Sequence, residues 1–264
     1  MEQKTAFITG ASSGIGAELA REFVKHGFRV ALCARRTDRL NGLVEELKKM
    51  GGESIALTCD VTNTESLQSA VQKTIETFGK IDVVIANAGY AAWGYFEDLC
   101  LDDYKRQFDT NMIGVLDTIY QTLPELKKTK GRLAIMSSVS GHVPLSMTTA
   151  YTMSKHAVKA LSLGLRQELK KDGVSVTLIS PGFIDSEIYF IDIKGNKNDE
   201  KLAKVNPSLI MPVEKAAPKM AKAILKRKRE RIITAHGWLG VQLYRFFPSL
   251  VEKLVHEGNP KKKK

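Results

Sequence analysis

Tyr151 stands four residues before Lys155, in Ala150-Tyr151-Thr152-Met153-Ser154-Lys155. In a helix that spacing puts both side chains on one face, a turn apart. A phenol titrates near pH ~10, too high for proton transfer at neutrality. An ammonium about 4 Å away contributes roughly 4 kcal/mol at an effective dielectric of about 20. One pKa unit corresponds to about 1.4 kcal/mol, so the lysine is expected to lower the tyrosine's pKa, by roughly three units before desolvation cancels part of that effect. The pair then reads as a general acid or base. Ser138 closes an apolar run thirteen residues upstream, in Ile135-Met136-Ser137-Ser138. A strand end followed by a helix start can bring the two hydroxyls onto one ligand oxygen, and strand carboxyl ends are where open α/β sheets bind ligands.

A second constellation opens the chain. Thr9-Gly10-Ala11-Ser12-Ser13-Gly14-Ile15-Gly16 lies between the apolar run Ala6-Phe7-Ile8 and a helical pattern from Ile15 to His26. Glycines let backbone approach a pyrophosphate, and the amides and positive dipole end of the new helix receive its charge. The turn predicts a dinucleotide site. The second apolar run ends Cys33-Ala34-Arg35-Arg36. Ala34 stands where an NAD enzyme places an acid for the ribose hydroxyl, and two arginines follow. Guanidinium groups suit a 2′-phosphate. Arg35 and Arg36 therefore favour NADP(H) over NAD(H), with Asp38 as an acid that could compete for a hydroxyl.

The elements that must hold these residues alternate regularly. Strands are expected at 5–9, 29–34, 54–58, 81–86, 132–137 and 175–179. Helices are expected at roughly 15–26, 38–50, 65–78, 102–127 and 152–171. Gly27, Gly51-Gly52, Gly79, Gly131 and Gly173 follow the helical runs, as helix stop signals do. This rhythm implies a single-domain α/β fold, a Rossmann-type doubly wound parallel sheet with right-handed crossovers. Several strands are continuous apolar runs, as strands covered on both faces should be. After Pro181-Gly182 the rhythm weakens. Residues 183–212 form a long irregular segment, expected to be a lid over the substrate. A helix at about 213–228 and a short strand at 231–234 complete a catalytic unit over 1–235.

The ordered motifs resemble those of the short-chain dehydrogenase/reductase family, compact single-domain type, from Lys4 to about Ile233. The resemblance implies cofactor contacts at Gly10, Ser12, Ser13, Gly14, Ile15 and Gly16. It implies an adenine-contacting acid at Asp60, beside Val61, and an Asn-Ala-Gly motif at Asn87, Ala88 and Gly89. It implies a nicotinamide wall at Pro181 and Gly182, with Ile184 and Ser186 meeting the carboxamide. The catalytic set it implies is Asn111, Ser138, Tyr151 and Lys155. Asn111 would hold a proton-relay water with Lys155, which would also bind the nicotinamide ribose. Ala86 stands where Asn is frequent in the family and Ser186 where Thr is frequent.

The implied reaction interconverts a ketone and a secondary alcohol. The substrate side of the sequence is apolar and partly aromatic, with Trp93, His142, Val143, Pro144, Met147, Phe183 and Tyr189 as candidates. A moderately large apolar substrate, lipid-like or steroid-like, fits that set. The alternatives are an NAD-preferring alcohol dehydrogenase and a cofactor-binding regulatory protein; the latter would show a broken Ser/Tyr/Lys set, and this set is intact.

The 264 residues suffice for a large core without disulfides or metal. Cys33, Cys59 and Cys100 lack metal-ligand spacing, and they read as reduced thiols of a cytoplasmic protein. Polar Gln3-Lys4-Thr5 leads straight into the first apolar run, so no secretory signal is expected. The net charge of +11 is concentrated at the end: residues 222–264 carry twelve Lys or Arg against three acids. Residues 236–264 form an aromatic, amphipathic, basic extension. Such a segment suits peripheral contact with a membrane surface, or a place over the pocket or a subunit interface. A break near Pro248 is expected, because proline lacks the helical N–H donor. No base-stacking array accompanies the charge, so no nucleic-acid role is expected. The family resemblance implies a homodimer or homotetramer through the helices near 102–127 and 152–171.

Overall fold

The computed structural model describes residues 3–190 and 205–257, with side chains through Lys253 apart from that of Phe190. Among them, seven parallel strands form one sheet in the order β3-β2-β1-β4-β5-β6-β7. They are β1 Thr5–Thr9, β2 Arg29–Ala34, β3 Ser54–Thr58, β4 Val83–Ala86, β5 Arg132–Met136, β6 Ser175–Ser180 and β7 Glu230–Ile232. The order reverses between β1 and β4, whose register pairs Phe7 with Val84. At such a switch point the loops diverge above the strand ends and leave a crevice.

Both faces are covered, which explains the apolar strands. Phe7, Ile8, Val30, Leu32, Val84, Ile85, Leu133 and Ile135 are all fully buried. Alternate residues face opposite layers. Ile8, Leu32 and Ile85 pack with α1 Gly14–Lys25, α2 Thr37–Lys49 and α7 Val213–Leu225. Phe7, Val84 and Leu133 pack with α3 Thr64–Phe78 and with two helices further along the chain, α5 Gly114–Thr129 and α6 Thr149–Glu168.

The expected helix over 102–127 is not uniform. It divides into α4 Leu101–Phe108 and α5, joined by a π-helical turn at Asp109–Ile113. The turn places Asn111 wholly inside the protein, and π-bulges of this kind often mark functional sites. The strand expected from residue 81 begins at Val83; just before it, the Asp82 amide donates to the Thr5 carbonyl and its Oδ2 accepts from the Thr5 amide, each at 2.9 Å.

The chain continues after β7 into α8 Ala235–Phe246 and α9 Pro248–Glu257. Phe247 breaks the helical path and Pro248 starts the next helix, where its missing N–H costs nothing. Of the segment expected to act as a lid, residues 191–204 lie outside the described residues. So do the terminal lysines, Lys261–Lys264. No helix among the described residues is long and apolar enough to cross a membrane.

Candidate active site

The glycine turn is a close-packed cradle. Gly10 and Gly14 have positive φ, 66° and 53°, which glycine adopts without strain. A Cβ on Gly16 would collide with the Gly10 carbonyl and lie 2.7 Å from Asn87 Nδ2. Asn87 locks the turn from across the sheet, donating from Nδ2 to the Thr9 carbonyl at 2.9 Å and the Gly10 carbonyl at 3.3 Å. The Asn87 and Ala88 amides donate in turn to Thr9 Oγ1, at 3.0 and 3.1 Å. Ser13 begins α1 without its side chain accepting an amide proton, so the helix N-terminus keeps donors for an anion. Asp60 is oriented by Thr62, whose amide and hydroxyl donate to Oδ1 at 3.0 and 2.8 Å. Val61 is buried against Gly114, where a Cβ would lie 2.7 Å from its Cγ2. These residues fit a dinucleotide: backbone approach, oriented amides and an acid stand along one wall.

Ser138 and Tyr151 meet at the other end of the same cavity. The Ser138 hydroxyl is hydrogen-bonded to the Tyr151 phenol and accepts from the Ser140 amide at 3.1 Å. Lys155 lies one turn along α6 from Tyr151, 4% exposed, its Nζ 5.6 Å from the Tyr151 ring centre. Nζ donates to the Met136 carbonyl at 2.9 Å. Asn111 Nδ2 donates to the Tyr90 carbonyl at 2.9 Å and to Ser154 Oγ at 3.2 Å, while Oδ1 accepts from the Tyr90 amide at 3.1 Å. Gly89 leaves the room beside them: a Cβ there would lie 3.0 Å from Asn111 Oδ1 and 3.5 Å from Lys155 Nζ.

The titration of this pair corrects one expectation. Burial pushes Tyr151 up to about 12, against the lowering effect of its hydrogen bond with Ser138. Burial also pulls Lys155 down to about 8. Removing water disfavours both charged forms, and here that outweighs the mutual attraction expected from spacing. Spacing alone carries no information about how dry the pair is.

A cavity of about 840 Å³ runs from the glycine turn to Tyr151. Gly10, Ser12, Ser13, Gly14, Ile15, Gly16, Arg35, Arg36, Asp60, Val61, Asn87, Ala88, Gly89, Ser138, Tyr151, Lys155, Pro181, Gly182, Ile184 and Ser186 all line it. Asn111 lies behind its wall, joined through Tyr90. Ile184 is buried, paired through its backbone with Met211. The Ser186 hydroxyl donates to the Ile184 carbonyl at 3.3 Å.

Trp93, Phe183 and Tyr189 line the substrate side; His142, Val143, Pro144 and Met147 are not among the lining residues. His142 turns away to Glu230, 2.8 Å from its Nε2, and to Lys159, 2.9 Å from its Nδ1. Wall residues outside the sequence candidates include Leu145, Ile188, His236 and Gly237. The last two come from α8, where the Thr234 hydroxyl accepts from the Gly237 amide at 3.2 Å. His236 stacks on Phe183 with ring centres 6.0 Å apart. Their only sequence signal was the Thr-Ala-His-Gly helix start. Gly141 was also unforeseen: a Cβ there would strike Ser137 Oγ and lie 2.7 Å from the Lys155 carbonyl.

Comparison with known proteins bears on the family and the fold. Residues 4–191 match the family model described as short chain dehydrogenase. A Dictyostelium discoideum protein named dehydrogenase/reductase SDR family protein 7-like is 31% identical over 97% of this chain and 82% of its own length. An Arabidopsis thaliana protein named 11-beta-hydroxysteroid dehydrogenase-like 2 is 37% identical over 70% of this chain. That match spans only 60% of the relative's length. The alcohol dehydrogenase of Thermococcus sibiricus, solved with 5-hydroxy-NADP, superimposes with a TM-score of 0.78 at 29% identity, over 89% of this chain and 97% of its own.

Proposed function

Since the chain belongs to the short-chain dehydrogenase/reductase family and is an oxidoreductase, we propose that it interconverts a ketone and a secondary alcohol on a moderately large apolar substrate, using NADP(H). One observation carries this reading: the bonded Ser138–Tyr151 pair, over buried Lys155, shares a cavity with the glycine turn and Arg35. When bound, the cofactor supplies or accepts the hydride. Ser138 orients and polarises the carbonyl oxygen. Tyr151, protonated at neutral pH because burial holds its pKa high, donates its proton to the developing alkoxide or takes it back in oxidation. Lys155 supports the phenolate and binds the nicotinamide ribose. Asn111, braced by Tyr90 and Ser154, holds the π-helical turn beside Lys155 and the path that resupplies its proton.

Cofactor choice rests on Arg35, exposed at the cavity's edge, and on the absence of an acid at Ala34. The substrate class rests on the apolar wall, and the steroid dehydrogenase-like name of the Arabidopsis thaliana relative favours a lipid-like or steroid-like ligand. Ketones and alcohols of graded size, assayed with NADPH and NADH, test both points. Turnover should rise with apolar bulk and favour NADPH. Preference for small polar alcohols or for NADH would overturn the reading.

Two further proposals concern surfaces. Leu101, Ile113, Tyr120 and Met153 are exposed on or beside α4, α5 and α6, which supports a homo-oligomer through those helices. Trp238, Leu239, Leu243, Phe246, Phe247 and Leu250 are exposed on α8 and α9. An apolar face of that size with nearby cations supports peripheral contact with an anionic membrane surface. Localisation would then be cytoplasmic, at such a surface.

A further inference from the structure

Glu187 belongs to the substrate-side segment after Pro181-Gly182, in a short 3-10 turn over Glu187–Phe190. Its carboxylate nevertheless bonds the arginines at the far end of the cavity. Arg36 Nη1 donates to Oε2 at 2.8 Å and Arg39 Nη1 to Oε1 at 2.8 Å. Ser13 also bonds it. Arg36 is tied to the glycine turn as well, donating to Ser12 Oγ at 3.2 and 3.1 Å and to Ser13 Oγ at 2.7 Å. The neighbouring Ser186 rests on that turn, since a Cβ on Gly14 would lie 3.3 Å from Ser186 Cβ. Residues 186 and 187 thus bridge the crevice between the glycine turn and the start of α2.

We propose that Glu187 acts as a built-in anion on Arg36 and Arg39, that the 2′-phosphate of the cofactor displaces it, and that Glu187 thereby sets discrimination between phosphorylated and unphosphorylated dinucleotides. The proposal rests on the NADP(H) reading and extends it to a residue outside the sequence motifs. Two guanidinium groups this close repel one another, and a carboxylate between them relieves the repulsion. Each pair is partly exposed, at 39% and 38% for the arginines and 27% for the acid, so water and salt screen both and the contacts exchange readily. A phosphate monoester carries a charge of about −1.5 to −2 and three acceptor oxygens. It satisfies both forks better than one carboxylate does. Burial works against ionisation of Glu187, yet the bonds from Arg39, Arg36 and Ser13 hold its carboxyl down to about 2. The competitor is therefore charged throughout the working pH range. Displacement also reaches the substrate side, because Phe183 and Tyr189 on the same segment line the cavity.

The test is calorimetric titration of the full chain with 2′,5′-ADP and 5′-AMP, for the wild type, Glu187→Gln and Arg39→Gln. Glu187→Gln should tighten 2′,5′-ADP about threefold to tenfold and leave 5′-AMP within about twofold, and Arg39→Gln should weaken 2′,5′-ADP by a similar factor. Hydrogen exchange of wild-type residues 185–190 should quicken with 2′,5′-ADP and not with 5′-AMP. An unchanged affinity in Glu187→Gln, an equal change for both nucleotides, or exchange that slows with 2′,5′-ADP would overturn the proposal. A wild type that binds 5′-AMP as tightly as 2′,5′-ADP would instead overturn the NADP(H) reading. The role of Glu187 is judged separately, by whether its substitution changes the ratio of the two affinities.

Discussion

Lys155 fastens helix α6 to the end of strand β5 by donating from Nζ to the Met136 carbonyl at 2.9 Å. The same residue's own carbonyl accepts from Ser137 Oγ at 3.0 Å. Two bonds from adjacent β5-end residues thus set the distance between the Ser138 strand end and the Tyr151 helix start. The catalytic geometry proposed here is a property of that junction.

Replacing Tyr151 by Phe keeps the buried ring and removes the transferable proton. Turnover should fall at least ~10²–10⁴-fold, the usual contribution of a general acid. Affinity for 2′,5′-ADP should stay near wild type. Steady-state kinetics with nucleotide titration checks both, and retention of a tenth of wild-type kcat would contradict the role.

Arg35→Ala should weaken NADPH binding about 10–100-fold, as loss of a charge-assisted hydrogen bond implies. NADH should change little. Nicotinamide fluorescence titration reads the two constants, and an equal loss for both would assign Arg35 to the adenine or the fold.

Gly141→Ala forces a methyl between Ser137 and the Lys155 carbonyl. Overpacking of this kind costs about 1–3 kcal/mol, so the midpoint of urea unfolding should drop. Because the clash lies at the β5–α6 junction, kcat should fall further than stability alone explains. A control at Gly164 in the interior of α6, where a Cβ meets nothing within 4 Å, should leave kcat unchanged and hold or raise the midpoint, because alanine is the better helix former.

Lys155 gives stability a definite pH dependence. Burial lowers its pKa from 10.5 to about 8. Between those values the unfolded chain holds the proton and the folded one does not, so this residue's contribution rises with pH across that window. The buried thiols Cys33 and Cys59, both pushed up by burial, act in the opposite sense. The difference between wild type and Lys155→Met isolates the lysine: urea unfolding at pH 8 and pH 10 should show the wild type gaining relative to the variant. A constant difference would place the folded pKa outside this window.

Ending the chain at Ala235 removes His236 and Gly237 from the cavity wall. Activity should be lost while 2′,5′-ADP still binds. Full-length protein should sediment with anionic vesicles in a salt-sensitive way, since such attraction is screened, and Phe246→Asp with Leu250→Asp should abolish this with activity in solution retained. No sedimentation of the full chain would remove the membrane proposal.

The sequence by itself determined the sheet, its two helical layers and the positions of the glycine turn, Ser138, Tyr151 and Lys155. Those depend on local chemistry: apolar runs that parallel strands need on both faces, helical periodicity, and glycines at Gly10 and Gly14 where φ is positive. Tertiary structure alone decided what joins distant segments. Arg36 and Arg39 meet Glu187 roughly 150 residues away, a pairing that no local pattern encodes. His142 leaves the pocket because Glu230 and Lys159 converge on it, and His236 enters it because α8 folds back over Gly182. The high pKa of Tyr151 belongs to the same class. The Tyr-Lys spacing specifies their mutual attraction, but the surrounding packing excludes water, and at this site the loss of water is the larger effect.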